Sequence, residues 1–119
     1  NELEQNNFQN FIIVDNSTLQ TDDARVPLEF SLGQNFPNPF NPITTIRYDL
    51  PKDSFVKITI YDVLGNVIND LLQKHQSSGF KTISWDATDD KGKNMPAGIY
   101  IYAIEAGGFL QTRKMILLK

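Results

Sequence analysis

The sequence predicts an all-β chain: an antiparallel β-sandwich of about seven strands behind an N-terminal extension. Three observations lead there. Short segments alternate apolar and polar residues, and they recur at intervals of roughly 8–15 residues. Gly, Pro, Asn and Asp punctuate the gaps, as turns require. No segment keeps a 3.6-residue apolar period long enough for a helix of ordinary length. Of 119 residues, 40% are hydrophobic and 11% aromatic, enough for a folded core and too much for general disorder.

Residues 1–27 form the extension. NELEQNNFQN is rich in Asn and Gln, and STLQTDDARVP is polar and turn-prone, so this stretch is expected to be a linker. Within it FQNFIIVD offers a possible extra strand at 8–15, suited to pairing with another sheet in cis or on a neighbouring molecule. The sandwich is expected over residues 28–119. LEFSL is a short first strand. ITTIRYDL sets Thr44, Ile46, Tyr48 and Leu50 on one face and Thr45, Arg47 and Asp49 on the other. After a Pro51–Ser54 turn, FVKITIYDV opposes Val56, Ile58 and Ile60 to Phe55, Lys57, Thr59 and Tyr61. Leu64-Gly65-Asn66 reads as a tight turn, with Gly65 or Asn66 at positive φ. In NVINDLLQKH, Val67, Ile68, Leu71 and Leu72 fit a helical spacing as well as a bent strand; its shortness among strands favours the strand. GFKTISWD places Ile83 and Trp85 on one face, and Tyr100 and Tyr102 of GIYIYAIEA are expected to pack under that Trp. Gly107-Gly108 joins this strand to FLQTRKMILL as a two-residue hairpin of the primed kind.

Several functions are argued against. Eleven Lys and Arg against fourteen Asp and Glu give a net charge of −3, which offers no polycationic surface for nucleic acid. No apolar run approaches the roughly 20 residues of a transmembrane segment. With no cysteine there is no disulfide and no thiolate. His75, the one histidine, sits in polar QKHQSSG and cannot supply both a triad and a metal site. Asp22-Asp23 and Asp89-Asp90 are neighbours on extended chain, whose side chains diverge, so neither makes an acid–base couple. DATDDKGK gathers Asp86, Thr88, Asp89 and Asp90, but Gly92 is out of step with a calcium loop and no distal Glu follows, so a solvated turn is expected. No catalytic residue, metal or cofactor is assigned. A third possibility is a plain spacer or a sugar-binding domain; Trp85 and the tyrosines could stack on sugar only if they are exposed, which the alternation argues against.

Five blocks occur in order: Asn35-Phe36-Pro37-Asn38-Pro39-Phe40-Asn41-Pro42, Ile60-Tyr61-Asp62-Val63-Leu64-Gly65, Gly79-Phe80 leading to Trp85-Asp86, Gly98-Ile99-Tyr100, and Lys114-Met115-Ile116-Leu117-Leu118-Lys119. Together they resemble the type A C-terminal sorting domain of the type IX (Por) secretion system, found on exported proteins of Bacteroidetes and related phyla. The resemblance covers Phe30 to Lys119. The related immunoglobulin-like domain of flagellar hook-capping proteins shares part of the pattern. Family members often carry Gly where this chain has Ala87, which suggests that the turn here does without positive φ.

The resemblance implies an immunoglobulin-like sandwich and a non-enzymatic export address. Its cargo would lie upstream, and its destination would be the cell surface or the medium, by way of the periplasm. The implied partners are an outer-membrane translocon and a cell-surface, sortase-like transpeptidase that cuts in the linker, within Thr21 to Glu29. The recognition signal would be Lys114 to Lys119. Physically, a receptor could add a strand to the exposed edge there, with Lys114 and Lys119 giving charge-assisted contacts and the terminal carboxylate fixing register. Met115 to Leu118 would alternate between core and receptor. The three prolines make the 35–42 stretch a rigid connector along a sheet edge or between sheets, pinned to the core by Phe36 and Phe40. An alternative function is a self-associating surface module or filament subunit that uses residues 8–15 as a donor strand.

Overall fold

Alternating side chains build two antiparallel sheets in the computed structural model, which describes residues 25–118. The strands are β1 (Ser31–Leu32), β2 (Thr44–Leu50), β3 (Ser54–Asp62), β4 (Val67–Gln76), β5 (Gly79–Trp85), β6 (Gly98–Ala106) and β7 (Phe109–Leu117). The smaller sheet runs β1-β2-β5 and the larger β4-β3-β6-β7. No helix occurs among the described residues. This is the expected sandwich. The strand expected at 8–15, most of the expected linker, Asp22-Asp23 and Lys119 lie outside the described residues.

The core is the sum of the inward faces. β2 buries Thr44, Ile46, Tyr48 and Leu50, and β3 buries Val56, Ile58 and Ile60. β6 adds Tyr100, Tyr102 and Ile104, β7 adds Met115 and Leu117, and Leu32, Phe40 and Trp85 close the cluster. Each fully buried aliphatic or aromatic side chain stabilises by about 1.5–3 kcal/mol. The Trp85 ring meets Tyr100 edge-on at 5.5 Å and Phe40 at 5.9 Å. Its indole N–H donates to the Thr88 carbonyl at 2.8 Å. Tyr102 shares the inward face but turns its hydroxyl toward Gly33, so only Tyr100 makes the expected ring contact with Trp85.

Three local expectations need correction. Of LEFSL only Ser31 and Leu32 pair, against Asp49 and Tyr48. Leu28 projects into solvent, and Phe30 leaves the ladder to stack on Phe109 with ring centroids 5.5 Å apart. Ala87 sits at φ 65°, so the turn after Trp85 does need a left-handed residue although no glycine is there. Its buried methyl and the bond from Met95 N–H to its carbonyl, 2.8 Å, hold it in place. Phe36 is corrected with the terminal strand below.

β4 explains its own ambiguity. Its pairing with β3 skips Leu71 between Ile58 and Thr59, and skips Ile68 between Ile60 and Tyr61. Each skip is a β-bulge, which sets two residues of one strand against one of its partner. Consecutive pairs are then half-buried together, and the apolar positions recur with a near-helical step.

Candidate recognition surface on the terminal strand

β7 is launched by Gly107 and Gly108, at φ 55° and 86°, the two positive values that a type I′ hairpin demands. The register runs from Ala106 opposite Phe109 to Gly98 opposite Leu117. A two-residue turn makes Ala106 and Phe109 a hydrogen-bonded pair, so odd positions of β7 bond to β6 and even positions aim their backbone groups outward. Side chains alternate as well. Met115 and Leu117 are buried, whereas Lys114, Ile116 and Leu118 are exposed.

An edge strand normally leaves its outward N–H and C=O groups unpaired. Here the 35–42 stretch lies along that edge as a strap. Gln34 Nε2 donates to the Lys114 carbonyl at 2.8 Å, and Ile116 N–H donates to Asn38 Oδ1 at 3.0 Å. Phe40 N–H donates to the Ile116 carbonyl at 2.9 Å, and Leu118 N–H donates to the Phe40 carbonyl at 2.8 Å. The edge expected to accept a receptor strand along Lys114 to Leu118 is therefore already occupied, because the strap reaches it first.

The strap is firmly held. Phe40 is 1% exposed, and withdrawing such a ring from a packed core costs about 3–5 kcal/mol. Asn35, also buried, donates its N–H to Tyr102 Oη at 2.8 Å and its Nδ2 to Thr44 Oγ1 at 3.0 Å and the Pro37 carbonyl at 3.1 Å. Burial pushes the Tyr102 hydroxyl pKa up, opposed by the Asn35 N–H and Arg113, so the group stays neutral and donates to the Gly33 carbonyl at 2.7 Å. The bonds preceding Pro37, Pro39 and Pro42 are cis. Phe36, expected as a second anchor, is 79% exposed. Its backbone bridges Thr45 in both directions at 2.9 Å, which leaves its ring in solvent.

Outside the edge, the outward face of the larger sheet carries cross-strand pairs. Ile99 opposes Ile116, and Ile101 opposes both Lys114 and Tyr61. Gly98, a singled-out motif position at φ 154°, begins β6 opposite Leu117. Gly65, at φ 89°, closes a turn organised by Asp62. That carboxylate accepts from the Leu64 and Asn66 N–H groups at 2.9 Å and from Asn66 Nδ2 at 3.0 Å, with the Asn66 bonds foremost in holding its pKa below the ordinary 3.8.

The remaining chemical candidates are used locally. Asp89 accepts from Lys93 and Lys91 N–H at 2.9 Å, the Lys93 bond being the main cause of its lowered pKa, and Asp90 accepts from Asp70 N–H at 3.0 Å. No group of three or more metal-ligating side chains converges among the described residues. His75 is exposed and meets Phe55 edge-on at 5.0 Å. Trp85, Tyr100 and Tyr102 are all buried, which removes them as a sugar-stacking platform. No described helix is long and apolar enough to cross a membrane. Sequence reasoning missed the strap's grip on β7. The available signal was the run of prolines, which leaves Asn38 and Phe40 among the few groups there able to bond a neighbour.

The FlgD Ig-like domain model matches residues 42–108, which take in β2 to β6. Among solved structures, dimeric latent PorU from Porphyromonas gingivalis aligns at TM-score 0.61 and 24% identity, over 91% of this chain and 10% of that one. PorZ, described as an essential surface component of the type IX secretion system of Porphyromonas gingivalis, aligns at TM-score 0.50 and 17% identity, over 76% and 11%. FlgD from P. aeruginosa aligns at TM-score 0.51 and 25% identity, over 66% and 70%. This chain thus corresponds to about a tenth of PorU and of PorZ. No curated protein matches. The match takes in more than half of the 119 residues, and the strands it spans build the body of the sandwich: the chain belongs to the FlgD Ig-like domain family.

Proposed function

We propose that this chain is a non-enzymatic C-terminal sorting domain, directing an upstream cargo through a type IX secretion system to the cell surface. The observation that carries the reading is the terminal strand. Met115 and Leu117 anchor it in the core while Lys114, Ile116 and Leu118 stand out from the same strand. The strand is thereby both part of the fold and available to a partner. The ordered motif blocks and the likeness in fold to a PorZ segment support the same reading.

The partners on this proposal are the outer-membrane translocon, which grips Lys114 to Lys119, and a surface transpeptidase that cuts within Thr21 to Glu29. The test is a reporter fused ahead of the full chain in a host carrying type IX machinery. Deleting residues 114–119 is expected to leave the reporter in the periplasm. Undiminished surface display of that deletion would defeat the proposal.

A further inference from the structure

We propose that the partner of the terminal strand docks on the outward side-chain face of the larger sheet, not on the strand's backbone edge, and that it presents an apolar groove bordered by a carboxylate. This rests on the sorting-domain reading and specifies its contact surface. Strand addition needs a run of free, alternating N–H and C=O groups. Along Lys114 to Leu118 the outward Lys114 C=O, both Ile116 groups and the Leu118 N–H are bonded to Gln34, Asn38 and Phe40. Freeing the Ile116 C=O and the Leu118 N–H means shifting the backbone of Phe40, whose ring is packed beside Trp85.

The face is open where the edge is shut. Ile99 and Ile116 stand opposite each other at 47% and 40% exposure, and Leu118 continues the row at 49%. Towards the hairpin the row is interrupted by a more polar stretch, with Thr112 across from Ala103, Ala103 across from Thr59, and Glu105 across from Lys57. Leu110 and Phe55 are exposed at the hairpin end of this face, but the Thr112, Ala103, Thr59, Glu105 and Lys57 positions separate them from the apolar row of Ile99, Ile116 and Leu118, where the strand finishes. Lys114 stands inside it with Ile101 across and Thr112 and Ile116 along the strand, none of them acidic. A carboxylate on the partner is the complement to that ammonium, and charge-assisted bonds of this kind are roughly twice as strong as neutral ones.

The test uses reporter fusions of the full chain in the same host. Ile99→Ser with Ile116→Ser, and separately Lys114→Glu, are expected to cut surface display by about tenfold or more, as loss of central contacts does. Leu110→Ser, on the same strand beyond the patch, and Asn38→Ala, in the strap, are expected to stay within about twofold. Lys114→Glu changes an exposed position and carries the test even if the isoleucine pair affects folding. Normal display of both face variants while the 114–119 deletion is retained would overturn the docking face and leave the sorting reading standing. Display of Asn38→Ala above the parent would point to the edge and overturn the docking face too. Display of the deletion itself would overturn both readings.

Discussion

Ala87 illustrates how two opposed terms settle at one position. An L-residue in the left-handed region costs about 1–2 kcal/mol. Glycine would remove that cost at φ 65°, but it would forfeit a buried methyl, about 0.8 kcal/mol, and add unfolded-chain freedom of about 0.4–1 kcal/mol. The terms nearly cancel, so Ala87→Gly is expected to shift stability by less than about 1 kcal/mol in urea denaturation. Ala87→Val, β-branched and ill-suited to positive φ, is expected to lose about 2 kcal/mol or more in the same measurement. Asp62 makes a second prediction, in pH. Its folded carboxyl titrates below the ordinary 3.8, chiefly through its bonds from Asn66, so the turn's contribution is complete above that pH and is lost as pH falls through the lower folded value. Asp62→Ala is therefore expected to melt below the parent near pH 7 and together with it near pH 2, as thermal scans would check. Neither effect was legible in the sequence. The alanine at 87 pointed away from a left-handed turn, and the partners of Asp62 depend on how the turn closes.

β2 was fully legible, because it pairs along its whole length and a one-residue slip would turn Ile46, Tyr48 and Leu50 to solvent. β4 was legible as a strand only from its surroundings, since bulges at Leu71 and Ile68 give its apolar residues a helix-like spacing. The strap was legible as rigid and ladder-poor but not in its destination. The bond from Ile116 to Asn38 joins residues 78 apart in the chain, and local patterning carries no record of such a pairing. Asn38→Ala removes one of the edge bonds and spares the Phe40 pair. Amide exchange is expected to quicken at Ile116 while Leu118, which still donates to Phe40, remains protected. Equal loss of protection at both amides would show that the strap acts as one cooperative unit.

On the proposed reading the sandwich and its signal share residues, which bears on the export experiment. Removing 114–119 also removes Met115 and Leu117, at 0% and 3% exposure, and each such core loss costs about 2–5 kcal/mol. The deletion is thus expected to destabilise the domain as well as strip its label. Leu50→Ala, equally buried but on β2, makes a comparable hole with the terminal strand intact. On the proposed reading, a Leu50→Ala fusion still reaches the surface while the deletion does not, and joint failure would assign the phenotype to unfolding. That the molecule is two facing sheets followed from alternation alone, because each strand has one face that must leave water. The outward pairing of Ile99 with Ile116 needed the register, which the two-glycine hairpin sets.

Phe30 sits where the lead-in meets this hairpin. Its ring stacks on Phe109, and a Cβ at position 107 would come within 2.8 Å of it, so the aromatic wedge braces the tip from which the last strand starts. On the proposed reading, scission anywhere from Thr21 to Glu29 leaves the wedge on the released side. A tag released in that way would keep the brace on its last hairpin, and with it the seat of its final strand.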